Sequence, residues 1–468
     1  MYDVIIIGAG SAGLAALREV KKRTDNFLMI NHGPYGTTCA RVGCMPSKAF
    51  IEAAHAYHRR HDFAAFGIGG ADRLSIDIPA VMNRTRELRD GFVAGTLKAT
   101  DDLGDRNVQG KARLESPDTV VVDDRRFQAR AIILATGSSP VVPAPWRALG
   151  RGVFTTDDLF ELPDLPRRLA VIGLGAIGTE IAQAAAHLGV EVTGFELLET
   201  VAGVTDPEIN QAVVAALGRD LTLHLGAAAE VTASAGGFTV TAGDARAQVD
   251  GVLVALGRRP NLQDLGLDTL GVALDDRGMP EVDPETLQLG DLPVFLAGDA
   301  NGQTPILHEA ADEGHIAGLN AIGPEVRRFP RRTPLGIVFM DPDVAAVGRR
   351  FAELDLSATA IGEVSFARHG RARMARTNEG VLRVYAAKAD GRLLGAEMCA
   401  PAGEHLAHLL ALAIERGLTV HQMLRLPFYH PVMEEGLRAA LRRAGSEVPP
   451  CGESDLAGCD AYHMEALD

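Results

Sequence analysis

The chain has 468 residues, 47% of them apolar, a formal charge of −15 and a pI of about 5.4. That length predicts two to four packed domains, and the acidic balance excludes nucleic acid as a general partner. Mean hydropathy close to zero, with no long uncharged apolar run, excludes a membrane span. Met1 and Tyr2 lead straight into an apolar strand with no basic leader, so a cytoplasmic protein is expected. The five cysteines (Cys39, Cys44, Cys399, Cys451 and Cys459) form no secreted framework. A disulfide among them in a reducing compartment is therefore expected to be catalytic rather than structural.

Val4 to Ile7 is a continuous apolar run, followed by Gly8-Ala9-Gly10-Ser11-Ala12-Gly13 and a helical stretch from Leu14 to Lys22. Strand, Gly-x-Gly-x-x-Gly and helix is the dinucleotide fingerprint, in which Gly8, Gly10 and Gly13 let backbone approach a pyrophosphate on the helix N-terminus. A second strand, Phe27 to Ile30, ends in Asn31 where an acid usually binds a ribose hydroxyl. Asn31 retains the hydrogen bond without the charge.

Next comes Gly36-Thr37-Thr38-Cys39-Ala40-Arg41-Val42-Gly43-Cys44-Met45-Pro46-Ser47-Lys48. Pro46 suits a first helical turn, and a helix N-terminus stabilises a thiolate. Residues five apart in a regular helix have Cα atoms roughly 8 Å apart, beyond the limit of about 7 Å for a disulfide. Bridging therefore needs an irregular turn, which Gly43 permits. Taken alone, the pair also suits two unrelated thiols or half of a zinc site. Beyond it, His55, His58 and His61 recur every third residue beside Tyr57, Arg59, Arg60 and Asp62. This pattern predicts a solvated face, and no metal site is assigned. A long amphipathic helix is expected over 74–103, and short strands over 108–134. Ala131 to Ala135 reads as a buried strand, and Thr136, Gly137 and Ser138 as a second approach of backbone to the same ligand.

The proline-rich stretch from Pro140 to Pro166 reads as a crossing into a new domain, which opens with Leu169 to Ile172 and Gly173-Leu174-Gly175-Ala176-Ile177-Gly178. Gly173, Gly175 and Gly178 make a second fingerprint, and the strand after it ends in Glu196, placed to accept from a ribose 2′-hydroxyl. No arginine from Leu197 to Gly203 offers to bind a 2′-phosphate, which predicts NAD over NADP. A further buried strand turns at Gly257, and Val294 to Leu296 leads to Gly298-Asp299, which sets a carboxylate at a strand's C-terminal edge. From Thr333 alternating strands and two helices, over 404–416 and 432–443, predict an α+β module. Its end, His430-Pro431-Val432-Met433-Glu434-Glu435, places an imidazole within reach of a carboxylate that orients it. Cys451 and Cys459 lie in a polar tail, expected to be frayed rather than a second redox relay.

The fold class is therefore α/β, with two Rossmann-like dinucleotide-binding units and a C-terminal α+β module. Together these residues resemble the flavoprotein pyridine nucleotide-disulfide oxidoreductases, and most of all their dihydrolipoamide dehydrogenases. The resemblance implies an FAD domain over 1–145 that returns over 263–332, an NAD domain over 146–262, a dimerisation domain over 333–446 and a tail over 447–468. It makes Cys39 the interchange thiol facing the substrate and Cys44 the thiolate against the flavin. It places Lys48 near the flavin, paired with Glu180, gives Thr38 to the flavin and makes Asp299 hold the ribityl chain. His430 and Glu435 become the acid/base pair given across a homodimer. The implied reaction passes electrons from a lipoyl-bearing carrier protein, or a 2-oxo-acid dehydrogenase complex, through the cysteines and FAD to NAD. Departures are Thr37 in the usual Gly-Gly-Thr-Cys, Asn31 for the acid, and Val432 in the usual His-Pro-Thr. Alternatives are an NADH-dependent reductase of another disulfide or of a metal ion, and a slow redox-sensing flavoprotein.

Overall fold

The computed structural model describes residues 1–450. Cys451 and Cys459 lie outside the described residues. Strand Tyr2–Ile7 is central in a parallel sheet, flanked by Phe27–Asn31 and Asn107–Gln109 on one side and by Arg125–Leu134 and Val294–Leu296 on the other. Val4, Ile5 and Ile6 are fully buried, which is why this strand reads as an unbroken apolar run rather than an alternating one. Arg125–Leu134 serves two partners. Residues 129–134 pair in parallel with Tyr2–Ile7, while 125–128 pair antiparallel with Thr119–Val122.

The second unit repeats this plan. Five strands, ordered Thr222–His224, Glu191–Phe195, Arg168–Ile172, Gly251–Val254 and Val153–Phe154, all run parallel. An antiparallel meander over Ala229–Ser234, Gly237–Ala242 and Ala245–Val249 accompanies them, as Ala112–Ser116 and Thr119–Val122 accompany the first sheet. A short antiparallel pair, Ser138–Pro140 with Arg258–Pro260, ties the two units together. A third, antiparallel sheet runs Leu335–Val338, Asp343–Gly348, Leu393–Ala400, Val381–Ala387 and Thr359–Ser365, with helices Gly403–Glu415 and Glu434–Gly445 packed on it.

Six helices position the chemistry. Helix α1 (Ser11–Val20) follows the first fingerprint, α2 (Thr38–Val42) carries Cys39, and α3 (Cys44–His58) begins at Cys44. Helix α4 (Ala176–His187) follows the second fingerprint, α5 (Pro207–Asp220) lies beyond it, and α6 (Glu434–Gly445) carries Glu435. The helix expected over 74–103 spans Ile78–Asp101 and starts where Asp77 caps the Ala80 N–H at 3.0 Å. No helix among the described residues is long and apolar enough to cross a membrane.

The face carrying His55 and His58 corrects the sequence reading. It is only partly solvated: α3 packs along α4, the half-buried His58 ring stacks on His187 with centroids 3.6 Å apart, and His55 lies 5.6 Å from His187, while His61 is exposed. The charges that suggested a solvated face, Arg59, Arg60 and Asp62, belong to the 3-10 helix Arg59–Phe66 that follows directly on α3.

Buried charge joins the second unit to the third. Asp206, fully buried, caps α5 and accepts from Arg383 Nη1 at 2.8 and 2.9 Å and from the Tyr385 hydroxyl at 2.7 Å. Glu397, equally buried, accepts from the backbone of Thr205, Asp206 and Phe351. Burial pushes its carboxyl up, but bonds from Thr205 and those amides hold it below the usual carboxylate range. Buried charges are tolerated when paired, and removing one partner strands the other. Asp206→Ala is therefore expected to lower stability by about 3–5 kcal/mol in chemical denaturation. A loss below about 1 kcal/mol, the scale of an exposed pair, would show that this network does not hold the units together.

Candidate active site

Both fingerprint turns owe their shape to close backbone packing. A Cβ on Gly8 would lie 2.1 Å from the Ala135 carbonyl oxygen, and one on Gly13 would lie 1.9 Å from that of Gly8. Gly173 and Gly178 repeat these contacts at 2.4 Å with Ala255 and 1.9 Å with Gly173. Gly10 and Gly175, by contrast, face open space, where a phosphate can approach the N–H groups. The side chain ending each second strand grips its own turn. Asn31 Oδ1 accepts from the Ala9 N–H at 3.0 Å, and Glu196 Oε2 accepts from that of Leu174 at 2.6 Å.

A cleft of about 800 Å³ runs from the first fingerprint past Asn31 and Thr38 to Thr136, Ser138 and Arg258. Within it the Thr136 hydroxyl is buried with no hydrogen-bond partner among the described residues. Ser138 Oγ donates to Asp299 Oδ2 at 2.6 Å and accepts from Arg258 Nε at 2.8 Å. Asn261 Nδ2 donates to the Thr136 carbonyl at 3.0 Å. Arg258 and Asn261 escaped the sequence reading, although both lie in the turn after Gly257 that it singled out. The exposed apolar side chains around the second fingerprint, Ile177, Leu197, Leu198 and Leu256, also escaped it. They offer an apolar rim for a nicotinamide or adenine ring.

The two cysteines sit on successive helices broken at Gly43, where a Cβ would lie 3.1 Å from the Thr38 carbonyl oxygen and 3.2 Å from the Cys39 Cα. Both thiols are free, Cys39 half-buried and Cys44 exposed, and each shifts the ionisation of the other. Cys39 draws the Cys44 thiol down to about 7 against the opposing effect of desolvation, and the Lys48 ammonium adds to the lowering. The same interaction pushes Cys39 well above the usual thiol range, with burial adding to it. Only one of the two is thus a thiolate near neutral pH. Ahead of them Thr37 sits at φ +57°, the left-handed region that a β-branched residue seldom adopts, while its hydroxyl accepts from the Ala40 N–H at 3.2 Å. The threonine in place of the usual glycine therefore falls on a strained position at the head of the redox helix.

Lys48 Nζ donates to both Glu180 oxygens, at 2.8 and 2.9 Å, and lies 4.5 Å from the centre of the Phe339 ring. Glu180 also accepts from the Phe339 N–H at 2.9 Å, so this cluster joins α3, α4 and the third sheet. His430 is held apart from it. Its side chain is 80% exposed, and its Nδ1 stands 2.9 and 3.1 Å from the Glu435 oxygens. Glu435 is held below the usual carboxylate range, first by His430. Nε2, the nitrogen away from Glu435, is free to face another molecule.

Comparison with known proteins agrees with this geometry. The family described as pyridine nucleotide-disulphide oxidoreductase matches residues 2–314, and its dimerisation domain matches residues 335–441. The dihydrolipoyl dehydrogenase of Trypanosoma brucei brucei is 30% identical, over 94% of this chain and 95% of its own. The mercuric reductase of Shigella flexneri is 30% identical, over 95% of this chain and 81% of its own. The crystal structure of LpdA from Mycobacterium tuberculosis superposes with a TM-score of 0.82 at 24% identity, over 95% of this chain and 99% of that one.

The thiol geometry sets a pH profile. Alkylation of Cys44 in a Cys39→Ser variant, where the serine hydroxyl still donates, is expected to have its midpoint well below the usual thiol value of 9.0. Adding Lys48→Met removes a nearby cation and moves that midpoint up by about one pH unit. An unchanged midpoint would show that Lys48 does not tune the thiol.

Proposed function

We propose a specific reaction for this chain, which belongs to the pyridine nucleotide-disulphide oxidoreductase family: the oxidation of a dihydrolipoyl group with reduction of NAD⁺. The family uses FAD and NAD(P), and the residues present suit both. The buried, unpartnered Thr136 hydroxyl, the open face at Gly10 and the Ser138–Asp299 pair fit FAD in the first cleft. The open face at Gly175 with Glu196 and its apolar rim fits the nicotinamide dinucleotide. Glu196 and the neighbouring Glu199, with no arginine from Leu197 to Gly203, favour NAD because a 2′-phosphate would meet negative charge. When bound, FAD supplies the two-electron relay between the dithiol and the nicotinamide.

The chain's own residues carry the thiol chemistry. In the oxidised protein Cys39 and Cys44 share a disulfide. His430 Nε2, with the ring oriented by Glu435 at Nδ1, takes the proton of one substrate thiol. The resulting thiolate attacks Cys39 Sγ, the Cys39–Cys44 bond breaks, and Cys44 leaves as a thiolate stabilised by the N-terminus of α3 and by Lys48. The second substrate thiol, deprotonated in turn, attacks the substrate sulfur of this mixed disulfide and Cys39 departs with a proton. Two electrons have moved from substrate dithiol to protein dithiol. The observation that carries this reading is the helix break at Gly43, which sets Cys39 and Cys44 on successive helices with the Lys48 ammonium one turn beyond Cys44.

Partner and assembly follow. The dimerisation domain supports a homodimer, and the exposure of His430 suits a group that acts on the partner's Cys39 rather than its own. The electron donor is read as a lipoyl-bearing carrier protein or 2-oxo-acid dehydrogenase complex. A second reading, reduction of another disulfide or a metal ion at the expense of NADH, is favoured by the equal identity to a mercuric reductase.

NADH formation from NAD⁺ and free dihydrolipoamide by the purified protein tests the reaction, with turnover expected to vanish in Cys44→Ser and to fall about 10²- to 10⁴-fold in His430→Gln. FAD-loaded protein that reduces mercuric ion or another disulfide but not lipoamide would transfer the assignment to the second reading. The shared site has its own test. Mixing the inactive Cys39→Ser and His430→Gln chains is expected to restore about a quarter of the activity, because half of the two-fold dimers are mixed and carry one intact site. Mixed dimers without activity would place His430 and Cys39 in the same chain.

A further inference from the structure

Three helices end at one point, and each ends on a residue that can bind a metal. His58 is the last residue of α3, His187 the last of α4 and Asp220 the last of α5. One donor atom from each lies within 4.8 Å of the other two, and His187 Nε2 already stands 3.1 Å from Asp220 Oδ2. A tetrahedral zinc ion bonded at about 2.0–2.2 Å keeps such ligands roughly 3.3 Å apart and lies in the plane of each imidazole, so His58 has to turn out of its stack on the His187 ring to join the ion. No hydrogen bond among the described residues holds it back, only ring contacts, a stack on His187 and an edge contact with His61.

The surroundings favour a cation. Each helix C-terminus contributes roughly half a negative charge from its unpaired carbonyls, and three of them converge beside the Asp220 carboxylate. His187 is buried, and its Nε2 already faces the Asp220 carboxylate. His55 and His61 stand next to the group and make a further ligand available.

We propose that His58, His187 and Asp220 form a binding site for a divalent transition-metal ion of the zinc type, separate from the redox cysteines. Its ligands come from two units, α3 of the first and α4 and α5 of the second. The ion acts as a clamp, fixing the C-terminal end of the α3–α4 pair as Lys48 and Glu180 fix the N-terminal end.

Equilibrium dialysis of the FAD-loaded protein against Zn²⁺, with the Cys39–Cys44 disulfide closed, is expected to retain one zinc per chain. His58→Ala and Asp220→Asn are each expected to weaken that binding at least tenfold while dithiol turnover persists. Zinc X-ray absorption of the unmodified protein supplies a readout independent of any variant's folding. Nitrogen and oxygen neighbours near about 2.0–2.1 Å support the site, and sulfur neighbours near about 2.3 Å place the ion on cysteines and overturn it. Failure to retain zinc, or binding unchanged in both variants, overturns it equally.

Discussion

The packing of α3 against α4 is the constraint on which the rest of the molecule depends. The two helices run side by side from their N-termini, where Lys48 meets Glu180, to their C-termini, where His58 stacks on His187. One helix begins at a redox thiol and the other just after a dinucleotide fingerprint, so this contact sets the distance between the two halves of the electron path. Glu180 is mostly buried, and a buried carboxylate without its cation would cost several kcal/mol. Lys48 and the Phe339 N–H share the task of satisfying it, which makes the first unit, the second unit and the third sheet meet at one carboxylate. The same ammonium lowers the thiol at Cys44, so one charge serves both position and reactivity.

Duplication explains the legibility of the fold. Both dinucleotide units are announced by features that act within about thirty residues, namely an apolar parallel strand, a turn that only glycine permits, and a helix. Such features are written in consecutive residues and are read without tertiary knowledge. The break at Gly43 was equally visible, because no regular helix allows cysteines five apart to bridge. In the third sheet alternation marked the strands up to Gly348 and those after Gly380 and Gly391, whereas the edge strand Thr359–Ser365 was not read.

What stayed hidden depends on contacts between distant segments. His55 and His58 look like a solvated stripe because charged neighbours flank them in sequence, yet both rings meet His187, a residue far away in sequence that no local pattern reveals. Asn31 read as a ribose ligand, and the structure adds a role as a brace for the fingerprint turn, shared with Glu196. That role needs only an acceptor oxygen, which is why Asn can stand where a carboxylate is usual. Thr37 was visible as a departure from pattern, but its left-handed backbone was not. Holding a β-branched residue there costs on the order of 1–3 kcal/mol, offset in part by its cap on Ala40, and the strain lies one residue ahead of the redox helix.

The asymmetry of the two thiols links the site to the assembly. A proton shared between sulfurs settles on Cys39 once Cys44 ionises, since a second negative charge beside the first is opposed by both proximity and burial. The reduced pair is thus a monoanion whose charge sits at the head of α3, where the helix and Lys48 stabilise it. That arrangement suits Cys44 to donating electrons, but leaves Cys39 as a poor nucleophile and a substrate thiol without a base. A proton acceptor must come from outside the pair. His430 has the chemistry and the orienting carboxylate, yet its ring is turned to solvent in the single chain. A thiol pair that needs a base and an imidazole that needs a site are complementary, which is the basis for the proposal that the homodimer brings them together.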